Sequence, residues 1–513
     1  MSVPSSVLTT GKDDIVLSIF TESPTEKRRE RQVEGAARAL YTTLDASRDE
    51  VNSQGQSRAR SPPRCPACHT HSPVITGGFA GRRRVHSFPA EVTAARANTG
   101  MKTMTMHAIK GERRHDLDWL RVLAILLLFY FHTAMLFTAE WEWHVQNAER
   151  SNLLLEFNFF LSRFRMAVLY LVAGVGTAYA LGRRNALQYL RERLKRLLVP
   201  LVFSIFVIVP PQIYLERVWR GEYSGSFLAF WPMVLRFEVY PAGNTSWHHL
   251  WFVAYLLLYS LTALPFFLWW RSEAARGARQ WLERLCSGRG ILLGGMPLAV
   301  ILGALTIRFP GPQNLVDDWA RVLFYFVLFV YGFVLCRAEG VWREIESNRR
   351  TALRLALLST LVINYLRWNG LEPAWRYDAA GVTFIGFGGL SAWFWVLAIL
   401  GYGRRYLSFR NRWLDYANEA SYPFYILHQT IILIVGFYVV QTSESILSKF
   451  LFTSTVSLVL TLAIYELFVR PFAVTRFLFG MKPARSDANA ETRVRVPGTT
   501  PASAQMPVAA GAD

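Results

Sequence analysis

The sequence predicts an all-α, polytopic integral membrane protein of about ten transmembrane helices with both termini in the cytoplasm. Three observations carry this. Hydrophobic residues make up 52% of the 513 and charged ones 18%, against roughly 25% charged in soluble domains. The apolar residues, with 35 Phe, 21 Tyr and 17 Trp among them, gather into long blocks nearly free of charge. Basic residues alternate from loop to loop along the chain. In a soluble protein a formal charge of +19 would suggest nucleic acid; here the loops account for it, and no nucleic-acid partner is expected. Four Cys in this length exclude a disulfide scaffold.

Residues 1–112 are rich in Ser, Thr, Arg, Gly and Pro without a sustained apolar period, and read as a disordered basic arm. The arm lacks the charged start, apolar core and cleavage site of a signal peptide. Met101, Met104 and Met106 immediately precede the ordered part, which suggests that the arm reflects a start site placed too far upstream. The ordered domain is expected over 113–482, with 483–513 a second disordered tail.

Ten apolar segments fall at about 117–138, 164–182, 197–215, 249–270, 291–308, 319–337, 352–367, 380–401, 421–441 and 449–470. Most approach the roughly 20 residues that span a bilayer core. The seventh is the weakest, with Arg354, Asn364 and Arg367 in or near its ends. Alternating ten-residue runs with hairpin signals are absent, which argues against a β-barrel; backbone groups in lipid must then be satisfied within helices.

With the amino terminus inside, the cytoplasmic connections carry Arg183, Arg184, Arg191, Arg193, Lys195 and Arg196; then Arg271, Arg276, Arg279, Arg284 and Arg289; then Arg337, Arg343, Arg349 and Arg350; and last Arg404, Arg405, Arg410 and Arg412. The opposite loops hold more acid: Glu140, Glu142, Glu149 and Glu156, then Asp317 and Asp318. This is the positive-inside pattern, and removing one span would scramble it.

The first span contains Arg121 and His132. Eleven residues at 100° each return to within about 20°, so the two share a helix face, separated by roughly 16 Å of rise. Ionisable groups at membrane depth are costly and mark functional sites, and a neutral imidazole takes and returns a proton near pH 7. Arg163 and Arg165 at the outer entrance of the second span read either as snorkelling anchors or as ligands for an anionic substrate. Arg191-Glu-Arg-Leu-Lys-Arg196-Leu-Leu-Val-Pro200 opens the third span; it is a topology signal whose arginines also suit phosphates. The fourth span begins Trp247-His-His249-Leu-Trp251. Adjacent histidines are poorly spaced for one helical metal site, leaving an interfacial aromatic belt or substrate contact. In the ninth, Tyr425 and His428 lie one turn apart, placed to hydrogen-bond within the bundle whether for packing or catalysis. Glu466 and Arg470 have the spacing of a structural ion pair.

Cys65-Pro-Ala-Cys68-His69 has the pattern of a haem c attachment site, but it stands alone in the arm on the cytosolic side, and Cys286 and Cys336 lie too far along the chain to complete a zinc site with it. No bound cofactor and no metal are expected. No phosphate-binding glycine loop, dinucleotide fingerprint or nucleophile elbow occurs in a strand-to-helix context.

Taken together, Arg121 with His132, Arg193-Leu-Lys-Arg196-Leu-Leu-Val-Pro, His249-Leu-Trp-Phe, Ser421-Tyr-Pro-Phe-Tyr-Ile-Leu-His428-Gln and Glu466-Leu-Phe-Val-Arg-Pro resemble the membrane acyltransferase family 3, nearest to its glucans biosynthesis protein C branch. The resemblance covers about 113–482. It implies O-acyl transfer, succinyl or acetyl, from cytosolic acyl-CoA as co-substrate to a hydroxyl of an extracytoplasmic glycan such as a periplasmic glucan, in a multi-pass inner-membrane protein. By matching position, His132 would be catalytic and Arg121 its essential partner. Arg193, Arg196, Arg165, His249, Trp251, Tyr425 and His428 would contact donor or acceptor. No carboxylate orienting His132 is identifiable, since Glu140 and Glu142 lie near the outer surface. A transporter or flippase for a glycan or acylated substrate is the alternative; it predicts internal repeats, and no self-similarity is evident.

Overall fold

The computed structural model describes residues 113–483 except Pro312. Among these every regular element is helical, with two isolated β-bridges and no strand. The helices are α1 (His115–Met135), α2 (Asn152–Ser162), α3 (Arg165–Leu181), α4 (Ala186–Arg193), α5 (Val199–Val207), α6 (Pro210–Trp219), α7 (Phe227–Phe230), α8 (Trp251–Thr262), α9 (Leu264–Arg271), α10 (Arg276–Leu285), α11 (Met296–Leu305), α12 (Trp319–Leu335), α13 (Glu339–Ser347), α14 (Arg349–Trp368), α15 (Ala379–Tyr406), α16 (Arg412–Val439), α17 (Ile446–Ile464) and α18 (Ala473–Leu478). Residues 1–112, with the expected arm and the Cys65–His69 motif, and 484–513 of the tail lie outside the described residues.

Among the described residues seven helices are long and apolar enough to cross a membrane, with α2–α3 and α4–α6 each counted as one; counting the bent pairs α8–α9 and α12–α13 as one span each brings the number to nine. The segment expected at 352–367 does fold as a 20-residue helix, α14. Its Arg349, Arg350, Arg354 and Arg367 leave it too polar to qualify by the same measure, so ten spans are not reached on length and apolarity alone. The chain is a multi-pass membrane protein by the number of its apolar helices.

Local chemistry explains the breaks that shape the site. Asn185 caps α4, its side chain accepting from Gln188 N while Gln188 reaches back to the cap. Pro200 has no N–H to donate, and just before it the helix widens into a π-turn at Leu194–Leu198. A second π-turn follows α17 at Tyr465–Val469. Such turns are rare and concentrate at functional sites. Pro423 interrupts the ladder of α16 little more than a turn before His428. Elsewhere helices pack closely on small residues: a Cβ on Gly174 of α3 would lie 2.0 Å from Phe329 O, and one on Gly332 of α12 would lie 1.9 Å from Leu171 O. This reciprocal glycine contact lets two backbones meet without lipid between them.

Candidate active site

A cavity of about 1220 Å³ opens at the end of the bundle that carries the arginine-rich connections. Its mouth is lined by Arg113, Arg183, Arg184 and Lys482, its walls by Arg121, Arg193, Arg196, Asn418 and Tyr422, and its inner end by Ile125, Phe252 and Tyr425. Both π-turns border it, the first through Arg196, the second through Glu466. Arg121 donates to Asn418 Oδ1 at 2.5 Å and lies 3.7 Å from Asp118, with its Nε buried and unpartnered. Arg193 donates to Thr177 Oγ1 at 2.9 Å, and Arg196 pairs with Glu192 at 3.0 Å. Lys482, outside the spans, is exposed at the surface; partial desolvation, with Arg196 nearby, lowers its ammonium from the ordinary value. Nine basic side chains against five carboxylates line the cavity, a funnel of net positive charge.

Beyond Tyr425 stand three imidazoles from three elements. His132 of α1 and His428 of α16 have ring centroids 5.1 Å apart; His249, in the 3₁₀ turn before α8, lies 5.3 Å from His428 with the rings nearly perpendicular. His428 Nδ1 is 2.6 Å from Tyr425 O. A carbonyl only accepts, so Nδ1 carries the proton and Nε2 holds a lone pair, buried with no partner. By the same argument His249 donates from Nε2 to Ile426 O at 3.1 Å. Trp143 stands edge-on to His132 with ring centroids 6.2 Å apart, and His132 Nδ1 is buried without a partner. Arg165, at the first turn of α3, is turned inward: its guanidinium sits 3.2 Å above the centre of the Phe131 ring, with Nε and Nη1 buried and unpartnered. It belongs to the electrostatic surroundings of His132, with His428 and His249.

A polar network continues toward the far end. Gln429 donates to Gln212 Oε1 at 3.0 Å, Gln212 to Thr430 Oγ1 at 2.7 Å, and Thr430 to Ile208 O at 2.7 Å. Gln429 Nε2 also lies 3.4 Å from His144 Nε2. His144 Nδ1 is 2.5 Å from Oε2 of the fully buried Glu216, whose Oε1 accepts from Tyr240 OH at 2.8 Å and pairs with Arg220 at 3.1 Å. Burial and this carboxylate push the Tyr240 phenol up to about 12, so it stays a donor.

The structure thus brings His132, His428, His249, Tyr425 and Arg165 together, and places Arg121, Arg193 and Arg196 along the funnel below them. Trp251 is elsewhere, packed among Tyr170, Tyr255 and Tyr325. Tyr425 and His428 do not pair through their side chains as their spacing suggested; the Tyr425 hydroxyl donates to His249 O at 2.5 Å, because the crossing of α16 with the start of α8 offers a nearer acceptor. Arg163 has turned toward the Arg367 and Glu156 side of the bundle, its Nε buried and unpartnered. Glu466 and Arg470 pair at 2.9 Å as expected, and also line the funnel. Glu140 and Glu142 are exposed. Sequence reasoning missed Asn418, His144 and Glu216, and gave no role to Gln429 or His248 in the motifs that contain them. Glu216 ends an apolar run one residue past the limit drawn for the third span, and an acid in that position was the available signal.

A family profile described as an acyltransferase domain matches residues 114–466. Glucans biosynthesis protein C of Salmonella paratyphi B and of Salmonella enteritidis are each 25% identical over 393 residues, covering 74% of this chain and 97% of the relative. The same protein from Salmonella paratyphi A matches to the same extent. No solved structure matches the chain.

Proposed function

Because the chain belongs to the acyltransferase domain family, and is an acyltransferase, we propose that it moves a succinyl or acetyl group from cytosolic acyl-CoA to a hydroxyl of an extracytoplasmic glycan such as a periplasmic glucan. The reading takes α14 as the tenth span, both termini as cytoplasmic, and the inner membrane as the location. The observation that carries it is the cationic funnel ending at Tyr425, whose ring centroid is 5.7 Å from that of His428. Such a funnel suits a phosphate-rich donor entering from the cytosol, with CoA as co-substrate.

The geometry divides the labour. Arg121 lies about three helical turns from His132, roughly 16 Å, so it does not reach a thioester carbonyl held at the imidazoles. It serves the donor's phosphate region with Arg193 and Arg196, through charge-assisted contacts. At the inner end His132 takes the proton of the acceptor hydroxyl. The oxygen attacks the thioester carbonyl, the C–S bond breaks, and the CoA thiolate leaves, recovering the proton to give free CoA and the ester. General base catalysis of this kind contributes about 10²–10⁴-fold. His428, with its proton held on Nδ1, presents a lone pair beside His132 and passes or receives the proton. Arg165 faces the negative charge that develops on the carbonyl oxygen, or the carboxylate of a succinyl chain; fixed cations at such positions stabilise the transition state.

Membranes containing the chain, incubated with radiolabelled acetyl-CoA and succinyl-CoA, should label a glycan fraction with one of the two and release CoA only when acceptor is present. Labelled glycan crossing the membrane without CoA release would favour a transporter and refute the proposal.

A further inference from the structure

The structure assigns a divalent-cation site of the zinc class to His144, Glu216 and His248, at the end of the bundle away from the funnel. Three separate segments supply these groups: the connection after α1, the last turns of α6 and the turn before α8. Their donor atoms all lie within 4.8 Å of one another. In a tetrahedral site two ligands each about 2.1 Å from zinc stand about 3.4 Å apart, so closure needs side-chain adjustments of up to about 1.4 Å.

Two imidazoles and a carboxylate form a borderline N/O set that suits zinc, and three protein ligands leave a position open. Supporting contacts are in place. Ser246 Oγ is 2.9 Å from His248 Nδ1, which leaves Nε2 as the ring nitrogen facing the cluster, and that atom is buried without a partner. Tyr240 and Arg220 hold Glu216 by Oε1, leaving Oε2 to the cluster. The Arg220 guanidinium, the one opposing charge on the carboxylate, is 39% exposed and so partly screened by solvent. A simple ion pair of His144 with Glu216 accounts for two of the three groups and leaves His248 Nε2 unsatisfied; a cation accounts for all three and displaces the proton they share. Adjacent histidines looked unsuited to one metal site, and they do not share one: the 3₁₀ turn sends His249 to His428 and His248 to Glu216. The ligand for the open position is an alcohol oxygen of the acceptor, a clause that alone rests on the proposed function; Gln429, next in sequence to His428, reaches within 3.4 Å of His144 Nε2.

The test uses full-length protein in detergent, stripped with chelator, incubated with zinc sulfate and dialysed, with metal measured by mass spectrometry. Cys65 and Cys68 are first replaced by Ser, so that their motif does not bind zinc. An equimolar amount should remain bound, and be lost in His248→Ala and in Glu216→Gln. Ser246→Ala should weaken binding by about 10- to 100-fold. Should Glu216→Gln fold poorly, His248→Ala and the visible spectrum of the cobalt-loaded protein carry the comparison. No zinc above the dialysis buffer, or equal retention in His248→Ala, overturns the site. Neither readout depends on acyl transfer.

Discussion

Replacing Arg165 with methionine is expected to make the substrate-free protein more stable and the enzyme much slower. The guanidinium lies over Phe131 in a half-buried position, with Nε and Nη1 buried and unpartnered. Its contact with the ring is worth up to about 2 kcal/mol, whereas the desolvation of an unpaired ion costs several kcal/mol even after relaxation. Methionine keeps the length and the contact with the ring but carries no charge, so a gain of about 1–3 kcal/mol is expected. This should read as a rise of roughly 2–5 °C in the melting midpoint. With substrate the sign reverses. Two charge-assisted hydrogen bonds to an anionic or developing-anionic oxygen are lost, and at about 1.5–3 kcal/mol for each bond to a charged group kcat/KM should fall by roughly 10²- to 10⁴-fold. The assay pairs thermal unfolding of purified protein without substrate with labelled acyl transfer. A variant that melts lower than the parent and keeps kcat/KM within about twofold would refute the reasoning, since Arg165 would then be a satisfied structural cation.

Four further outcomes follow from the same geometry. His132→Ala should lower kcat by about 10²–10⁴-fold with little change in donor KM, checked by steady-state kinetics on a variant with unchanged thermal unfolding. Arg196→Ala should act in the opposite way, raising acyl-CoA KM by roughly tenfold or more through the loss of one charge-assisted contact, with kcat nearly unchanged. Gly332→Ala should destabilise by about 1–3 kcal/mol or more, because its Cβ would meet Leu171 O; Gly174→Ala, at the same crossing, should add less than its own cost to the double variant. Asp318 is fully buried at the start of α12, and burial raises its carboxyl to about 6. Its folded value lies above the unfolded one of about 3.9, so its contribution is complete below pH 4 and is lost as pH rises through 6. Asp318→Asn should therefore melt higher than the parent at pH 8, and the two should converge at pH 4, in melts across that range.

What local sequence can encode was legible. The apolar runs correspond one for one to helices or bent helix pairs, because bilayer-length apolarity and internal backbone bonding are properties of a segment. The shared face of Arg121 and His132 and the ion pair of Glu466 with Arg470 follow from helix periodicity alone. Even so, α14 shows a limit: its four arginines left composition undecided about a segment that the backbone nonetheless folds as a helix.

Which faces oppose one another was decided only by the tertiary structure. His144 meets Glu216 across 72 residues, and the Tyr425 hydroxyl crosses 176 to reach His249 O rather than its neighbour on the same helix. A one-residue step in the turn at His248 and His249 sends adjacent imidazoles into different clusters. Periodicity states which side chains leave a helix together; the partner they meet depends on how close the backbones come, and here that depends on glycines such as Gly174 and Gly332 and on breaks such as those at Pro200 and Pro423. The chemistry-bearing residue types were therefore readable along the chain, while their assembly into a funnel, an imidazole cluster and a polar network at the opposite end is a product of packing.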